Sequence, residues 1–365
     1  MNYIKTFKYQ LKLNATQRHQ VDAWINTCRA VYNLALETKI YAYKSHGVSL
    51  SYYDIKKQLP ELKKHHTWVS DVPSQSLQNV IKRMDIAYQS FFRGGGFPKF
   101  ARKDRYNSIL FETLKADGDD RVKLPKIGSV KYHNSRPLIG ELRNATISRV
   151  NNKYFISIVT KQEVSISLAP NDNQVGVDMG ISFWASLSNG AQIENPRHTK
   201  KYEQQLRIES RKLARKVKGS SNRKKQRKVV AILHTKISNV RKDFQHKQST
   251  LLINAFGTIA IEDLKVKNMV RFGKLSKHIA DAGWSGFRTM LEYKANWYGR
   301  TLVAVDPKYT SQTCSSCKEV DKLSRISQSK FVCTSCGSES NADLNAAKNI
   351  LDRASSNLRE RKAVA

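Results

Sequence analysis

Two Cys-x-x-Cys pairs, Cys314/Cys317 and Cys333/Cys336, flank a fifteen-residue segment, and an acidic residue, Asp343, follows at the head of the alanine-bearing stretch NADLNAAKNI (341–350). Four thiols in this pattern are a metal-ligand set, whereas a secreted disulfide framework scatters its cysteines along the chain. A site of four thiolates is closed, with no open position for chemistry, so zinc is expected here as a structural ion. The intervening loop carries Lys318, Lys322, Arg325 and Lys330. It either touches a polyanion or only braces the core. The fifth cysteine, Cys28, sits in an apolar helical pattern with Trp24, Ile25, Val31 and Tyr32 and reads as a small buried hydrophobe.

The charge balance narrows the partners. The chain has 365 residues, enough for two or three domains, with 64 Lys and Arg against 30 Asp and Glu, a formal net charge of +34. Self-repulsion on that scale points to a polyanionic partner. The densest stretch is 197–247, with eighteen basic and three acidic residues. Val229, Leu233, Ile237, Val240 and Phe244 recur there at helical spacing, so an amphipathic helix with a basic, phosphate-facing side is expected. The opening MNYIKTFKYQLKLN lacks an apolar signal core, and no run approaches membrane-spanning length, so an intracellular, soluble protein without a membrane partner is expected.

Along the chain, residues 3–13 alternate as a strand and Asn14–Gln17 form a capping box. Helical patterns follow to about residue 94, with breaks near Gly47 and Pro73. The basic, glycine-rich FFRGGGFPKFARK (91–103) is neither a Walker loop nor a Rossmann fingerprint; it reads as a turn near a nucleic-acid backbone or as a linker. Strands return over 105–168, with a hairpin turn at Asn151-Asn152. QVGVDMGISFWASLSNG (174–190) is strand, glycine turn, strand. A strand at GTIAIEDL (257–264), a helix near 279–299, a strand at RTLVAVDP (300–307) and a final helix from 343 complete the pattern. The tail after about 352 is polar and basic and is expected to fray.

Three acids stand out. Asp178 shares a strand face with Gly176 and Gly180, and Glu262 shares one with Ala260. The small neighbours suggest room for a metal ion and an approaching phosphodiester. Asp343 lies one turn before Ala346 and Ala347, which would let its helix pack close to a sheet. Singly, each has a plainer reading: a strand-end charge for Asp178 and Glu262, a helix N-cap for Asp343. Together, on strand, strand and helix, they match an RNase H-type nuclease core. A carboxylate-only set favours magnesium or manganese.

GVDMGI (176–181), IEDLKVKNM (261–269), YTSQTCSSC (309–317) and NADLNAAKNI (341–350), in this order, resemble the TnpB family of insertion-sequence proteins, relatives of the type V CRISPR effectors. The likeness extends to DAGWSGFRTMLEYKANWYG (281–299) and the GFPKF loop (96–100). The resemblance implies an RNA-guided DNA endonuclease that takes a guide RNA from the transposon end, binds target DNA in double- and single-stranded form, and cuts DNA beside a short adjacent motif. It implies catalytic, metal-binding Asp178, Glu262 and Asp343, zinc on Cys314, Cys317, Cys333 and Cys336, and adjacent-motif contacts at Tyr52 and Gln78. For those two, packing and a solvated helix position are the alternatives.

The implied fold class is α+β and multidomain. A β-rich wedge domain (1–14 and 105–170) would carry an inserted helical recognition lobe (15–104). An RNase H-like RuvC domain (171–310 and 338–365) would carry an inserted zinc ribbon (311–337). A monomer on RNA, in the bacterial cytoplasm and on the nucleoid when bound to DNA, is the expectation. Two other readings are a nuclease-dead RNA-guided repressor, which would lack the acids, and a DNA transposase, since one fold serves several chemistries. Lys318 follows Cys317 where the family commonly has glycine, as it does at Gly337, which leaves the first knuckle's turn open.

Overall fold

A computed structural model describes residues 3–103, 105–162, 168–273 and 275–364. The end of the predicted strand region, at 163–167, lies outside them. The chain divides between residues 164 and 165 into two compact units.

The first unit opens with β1 (Tyr3–Lys12). Five helices follow: α1 (Ala15–His46), α2 (Tyr52–Lys57), α3 (Leu59–His65), α4 (Thr67–Ser70) and α5 (Ser74–Phe92). Then come β2 (Ser108–Phe111), β3 (Lys115–Ala116), β4 (Arg121–Leu124), β5 (Gly128–Tyr132), β6 (Glu141–Val150) and β7 (Lys153–Gln162). The strands form one antiparallel sheet in the order β2-β6-β7-β1-β5-β4-β3. β1 obeys the period of two: Phe7, Tyr9 and Leu11 are buried, while Lys8, Gln10 and Lys12 are exposed.

The capping box forms as expected. Gln17 N donates to Asn14 Oδ1 at 2.7 Å and Asn14 N donates back to Gln17 Oε1 at 3.3 Å. Trp24, Ile25 and Cys28 of α1 are buried in one core with Leu77, Ile81 and Met84 of α5 and the sheet residues Phe111 and Ile147. Each large apolar side chain there contributes about 1.5–3 kcal/mol. Burial pushes the Cys28 thiol up to about 12, in keeping with an inert packing role. The hairpin turn is at Asn151 and Asn152, both left-handed at φ 48° and 65°. Between Gly47 and Pro73 the helical pattern breaks twice more than expected. A second capping box, Ser51 with Asp54, starts α2 after the Gly47 break; the extra breaks are at Gln58, between α2 and α3, and at extended His66, between α3 and α4.

The second unit contains β8 (Gln174–Met179), β9 (Phe183–Leu187), β10 (Gln192–Glu194), α6 (His198–Ala214), α7 (Ser221–Ala255), β11 (Thr258–Glu262), α8 (Val266–Phe272) and α9 (Ser276–Ala282). α10 (Trp284–Tyr298), β12 (Thr301–Val305), β13 (Lys330–Val332), β14 (Glu339–Asn341) and α11 (Ala342–Val364) complete it. Its main sheet runs β10-β9-β8-β11-β12, with β8, β11 and β12 parallel and β9 antiparallel to β8. Val175, Val177, Ile259 and Ile261 pack with Leu252, Ile253, Phe287 and Leu291 of α7 and α10. The other face carries α11, where Ala260, Val303 and Val305 meet Ile350 and Ala354.

Three expectations change here. The helix placed near 279–299 is two helices, because Gly283 is left-handed (φ 68°); the buried Gln245 amide donates to the Ala282 and Gly283 carbonyls at the break. The apolar stripe of α7 is only partly covered: Leu233 and Ile237 are buried, but Val229 and Val240 are exposed, and α6, which packs beside it, buries no residue. The tail does not fray at 352. Buried Ala354 and half-buried Leu358 continue the packed face of α11, which runs on to Val364.

Candidate active site

Strand register brings two of the acids together. In the parallel pair β8/β11, Ile261 sits opposite Val177, so Asp178 and Glu262 are the next residues at the carboxyl ends of neighbouring strands. Both lie on the face that carries α11, whose first turn holds Asp343. The helix is capped by another residue: Asn341 Oδ1 accepts from the N–H groups of Asp343 and Leu344 at 3.0 and 3.2 Å. Asp343 is therefore free of the capping task.

Asp178 feels the charges of both other acids. Burial, then the charges of Glu262 and Asp343, push the Asp178 carboxyl up to about 7, against the pull of Arg325. Burial also raises Glu262, opposed by a Thr310 hydrogen bond and by Arg353 and Arg325. Burial raises Asp343, opposed by Arg325. Like charges gathered in a dry place resist ionisation, and a cation among them reverses that.

The supports come from far along the chain. Thr310 Oγ1 donates to Glu262 Oε1 at 2.5 Å. The carbonyl of Thr310 accepts from buried Asn349 at 3.0 Å, and that of Thr313 accepts from Asn349 and Asn345 at 2.6 and 2.7 Å. Asn345 and Asn349 are one helical turn apart on α11, so one helix both presents Asp343 and braces the loop that holds Glu262. Arg325 arrives from the cysteine segment, its Nη2 3.6 Å from Asp343 Oδ1. Beside it, Gln328 Nε2 donates to Ser182 Oγ, just past β8, at 3.1 Å. Arg325 was read only as one of four basic loop residues, and Thr310, Asn341, Asn345 and Asn349 were not singled out in sequence. The i, i+4, i+8 spacing of the asparagines was the readable signal.

Gly176 is small for a different reason than expected. A Cβ there would overlap the Ala347 carbonyl oxygen of α11. The space beside Asp178 is filled by the helix, and the packing of Ala346 and Ala347 against the sheet is the outcome the alanines suggested.

The four cysteines do converge. All four Sγ atoms lie within 4.8 Å of one another, with Cys314–Cys336 at 3.8 Å and Cys317–Cys333 at 3.6 Å. Thiolates on a tetrahedral ion at ~2.3 Å would stand ~3.8 Å apart. Backbone N–H groups, foremost that of Cys336, draw the Cys333 thiol down to about 6. Lys318 takes the left-handed conformation (φ 69°) that Gly337 takes in the second knuckle (φ 72°), so the two turns match despite the lysine. Among the described residues, no other group of three or more His, Cys, Asp or Glu comes as close; the three acids stand farther apart than the thiols.

Tyr52 and Gln78 belong to the first unit. Tyr52 opens α2, half-buried, edge-on to Tyr53 at 5.2 Å and beneath Lys56 at 5.8 Å. Gln78 is half-buried on α5, against which α2 packs.

Three family descriptions match the chain in order: the OrfB IS605 "Helix-turn-helix domain" at 1–47, the OrfB IS605 "Probable transposase" at 157–273 and the "Cas12f1-like, TNB domain" at 284–350. A protein of Escherichia coli (strain K12), InsQ, named as a candidate RNA-guided DNA endonuclease, is 36% identical over 96% of this chain and 92% of its own. The chain belongs to the TnpB (IS605 OrfB) family. A second member, from Streptomyces pristinaespiralis and named in the same way, is 33% identical over 95% of this chain and 88% of its own. Among solved structures, a Cas12f1–sgRNA–target DNA complex contains a chain of similar fold, with TM-score 0.60, 13% identity, and coverage of 96% of this chain and 98% of that one. In this TnpB-family chain, the described residues 3–47 hold one strand and a single long helix, so the helix-turn-helix label does not describe their shape.

Proposed function

We propose that this protein is an RNA-guided DNA endonuclease, with Asp178, Glu262 and Asp343 holding magnesium or manganese and Cys314, Cys317, Cys333 and Cys336 holding zinc. The relatives' names supply the activity class. The observation that carries the site is the meeting of three half-buried carboxylates at the ends of two adjacent parallel strands and the head of α11. The donor set suits hard divalent cations, and the raised carboxyls are what such ions would bring back to the ionised form.

When bound, those ions supply the charge that activates water and stabilises the leaving oxygen of a phosphodiester. The protein's part is placement. Asp178 and Glu262 present carboxylates from a rigid sheet, and Thr310 fixes the orientation of the Glu262 carboxylate. Arg325 supplies a guanidinium for phosphate oxygens at the cut. The cysteine cluster, closed to chemistry, holds the segment that carries Arg325.

On this reading the first unit's sheet, β1 to β7, is the wedge expected over 1–14 and 105–170, and its helices α1 to α5 the recognition lobe expected over 15–104, with Tyr52 and Gln78 toward the adjacent motif. Residues 171–310 and 338–365 form the RuvC-like domain around the 311–337 ribbon. The basic α6–α7 pair serves the phosphates of guide and target. The repressor reading requires loss of the acids, and all three are present.

The test is co-expression with the transposon-end RNA. The purified complex should carry that RNA and cut plasmids bearing target and adjacent motif, and Asp178→Ala should abolish cutting while leaving RNA and DNA binding intact. Undiminished cutting by the variant would refute the site. Direct strand transfer without guide RNA would favour a transposase.

A further inference from the structure

Tyr309, on the turn after β12, is held in a left-handed conformation (φ 63°). Among the described non-glycine residues with positive φ it is the one aromatic. Such a backbone is an outlier for a bulky side chain, and glycine or asparagine would adopt it at less cost. It persists because its surroundings over-determine it. The Tyr309 carbonyl accepts from Gln312 N and Thr313 N, both at 3.0 Å, and from Thr313 Oγ1 at 2.8 Å. On the other side, Arg353 Nη1 of α11 donates to the Lys308 and Asp306 carbonyls at 2.6 and 2.9 Å.

This fixed turn presents its two central side chains in opposite ways. Thr310 is 3% exposed and its hydroxyl reaches Glu262, whereas Tyr309 is 48% exposed. Their Cα atoms stand only about 3.8 Å apart, so the open ring sits at the edge of the acid site. The ring belongs to none of the apolar cores of this unit. Beside it is an exposed cation, Lys308, with Nζ 5.0 Å from the ring centroid. Backbone strain is thus kept for a side chain that adds little to packing, and strain of this kind points to a task outside the fold. An open aromatic face with a lysine beside it suits a nucleotide: bases of any sequence stack on aromatic rings, and the ammonium meets the phosphate. A base within a duplex already has both faces stacked, so the base that fits is unpaired.

We propose that the exposed Tyr309 ring is a stacking platform for one unpaired base of the DNA strand at the acid site, with Lys308 on that nucleotide's phosphate. The inference rests on the endonuclease reading. Tyr309 then positions the strand over Asp178, Glu262 and Asp343, and one aromatic ring helps to set which bond is cut.

The experiment compares guide-loaded wild type, Tyr309→Phe and Tyr309→Asn in cutting rate and thermal midpoint. Asparagine tolerates the left-handed backbone, so Tyr309→Asn should raise the midpoint by about 2–4 °C. It should nevertheless cut roughly tenfold more slowly, the size of one lost base–aromatic stack. Tyr309→Phe keeps the ring and should cut like wild type. A single abasic site stepped along the cut strand then locates the base. At one position it should slow the wild type roughly tenfold and leave the rate of Tyr309→Asn unchanged. A Tyr309→Asn protein that loses midpoint and cutting together would make Tyr309 a packing residue and overturn the proposal. So would a Tyr309→Phe protein as slow as Tyr309→Asn, or equal abasic penalties in wild type and Tyr309→Asn at every position. Wild-type cutting by Tyr309→Asn refutes the platform alone. A wild type that cuts no guided target removes the endonuclease reading, and this inference with it.

Discussion

Gly176 lies against Ala347: the strand next to Asp178 and the helix that presents Asp343 touch at a residue with no side chain. The same row of the sheet continues through Ala260 and Val303. The spacing between two of the three acids is thus set by how closely α11 can approach β8.

Gly176→Ala tests this. The added methyl meets backbone, which cannot rotate away, so α11 must lift. Overpacking of this kind costs typically about 1–3 kcal/mol. The expected result is a lower midpoint in thermal unfolding and a larger proportional loss of DNA cutting than the stability loss accounts for. Wild-type cutting by a destabilised variant would show that the acids tolerate the shift.

The acids themselves were legible because each sits in a short local pattern: a glycine-flanked strand, an alternating strand, an alanine-bearing helix start. The two cysteine knuckles were legible for the same reason. What local pattern misassigned was the role of Gly176, since only the tertiary fold shows what fills the space above a glycine. Arg325 looked like one more basic loop residue, and its approach to Asp343 depends on the fold of the cysteine segment. Thr310 and Glu262 are separated by 48 residues, and nothing near either announces the hydrogen bond. The break at Gly283 was hidden because the flanking residues keep helical periodicity, and Gln245, which meets the freed carbonyls, lies on another helix.

The cysteine cluster should couple to the acid site. Its core is only Cys314, Phe331, Cys333 and Ala342, too small to fold unaided, so the metal is expected to supply its stability. Ala342 N donates to the Ser329 carbonyl at 3.0 Å, which ties this segment to the residue before Asp343. Cys333→Ser should abolish stoichiometric zinc in elemental analysis and expose residues 314–336 to protease. Cutting should fall at least tenfold because Arg325 loses its support. Retained zinc at one ion per chain would show that three thiolates suffice.

A last prediction concerns the basic helices. Asp281 of α9 accepts from Thr199 N of α6 at 3.0 Å and from Arg241 Nη2 of α7 at 2.9 Å, fastening both helices at one carboxylate. Burial pushes its carboxyl up, but the Thr199 hydrogen bonds and the Arg241 charge outweigh that and hold it below its ordinary value of 3.8. A depressed carboxyl stabilises the fold fully above the unfolded-state value and loses that contribution as pH falls through the lower, folded-state value. Asp281→Asn should therefore cost on the order of 2 kcal/mol at pH 7, as expected for charged hydrogen bonds, measured by denaturant unfolding. The gap to wild type should close only in strongly acid solution, below about pH 4. A gap that closes by pH 6, or a variant as stable as wild type at pH 7, would show that α6 and α7 are held by their other contacts.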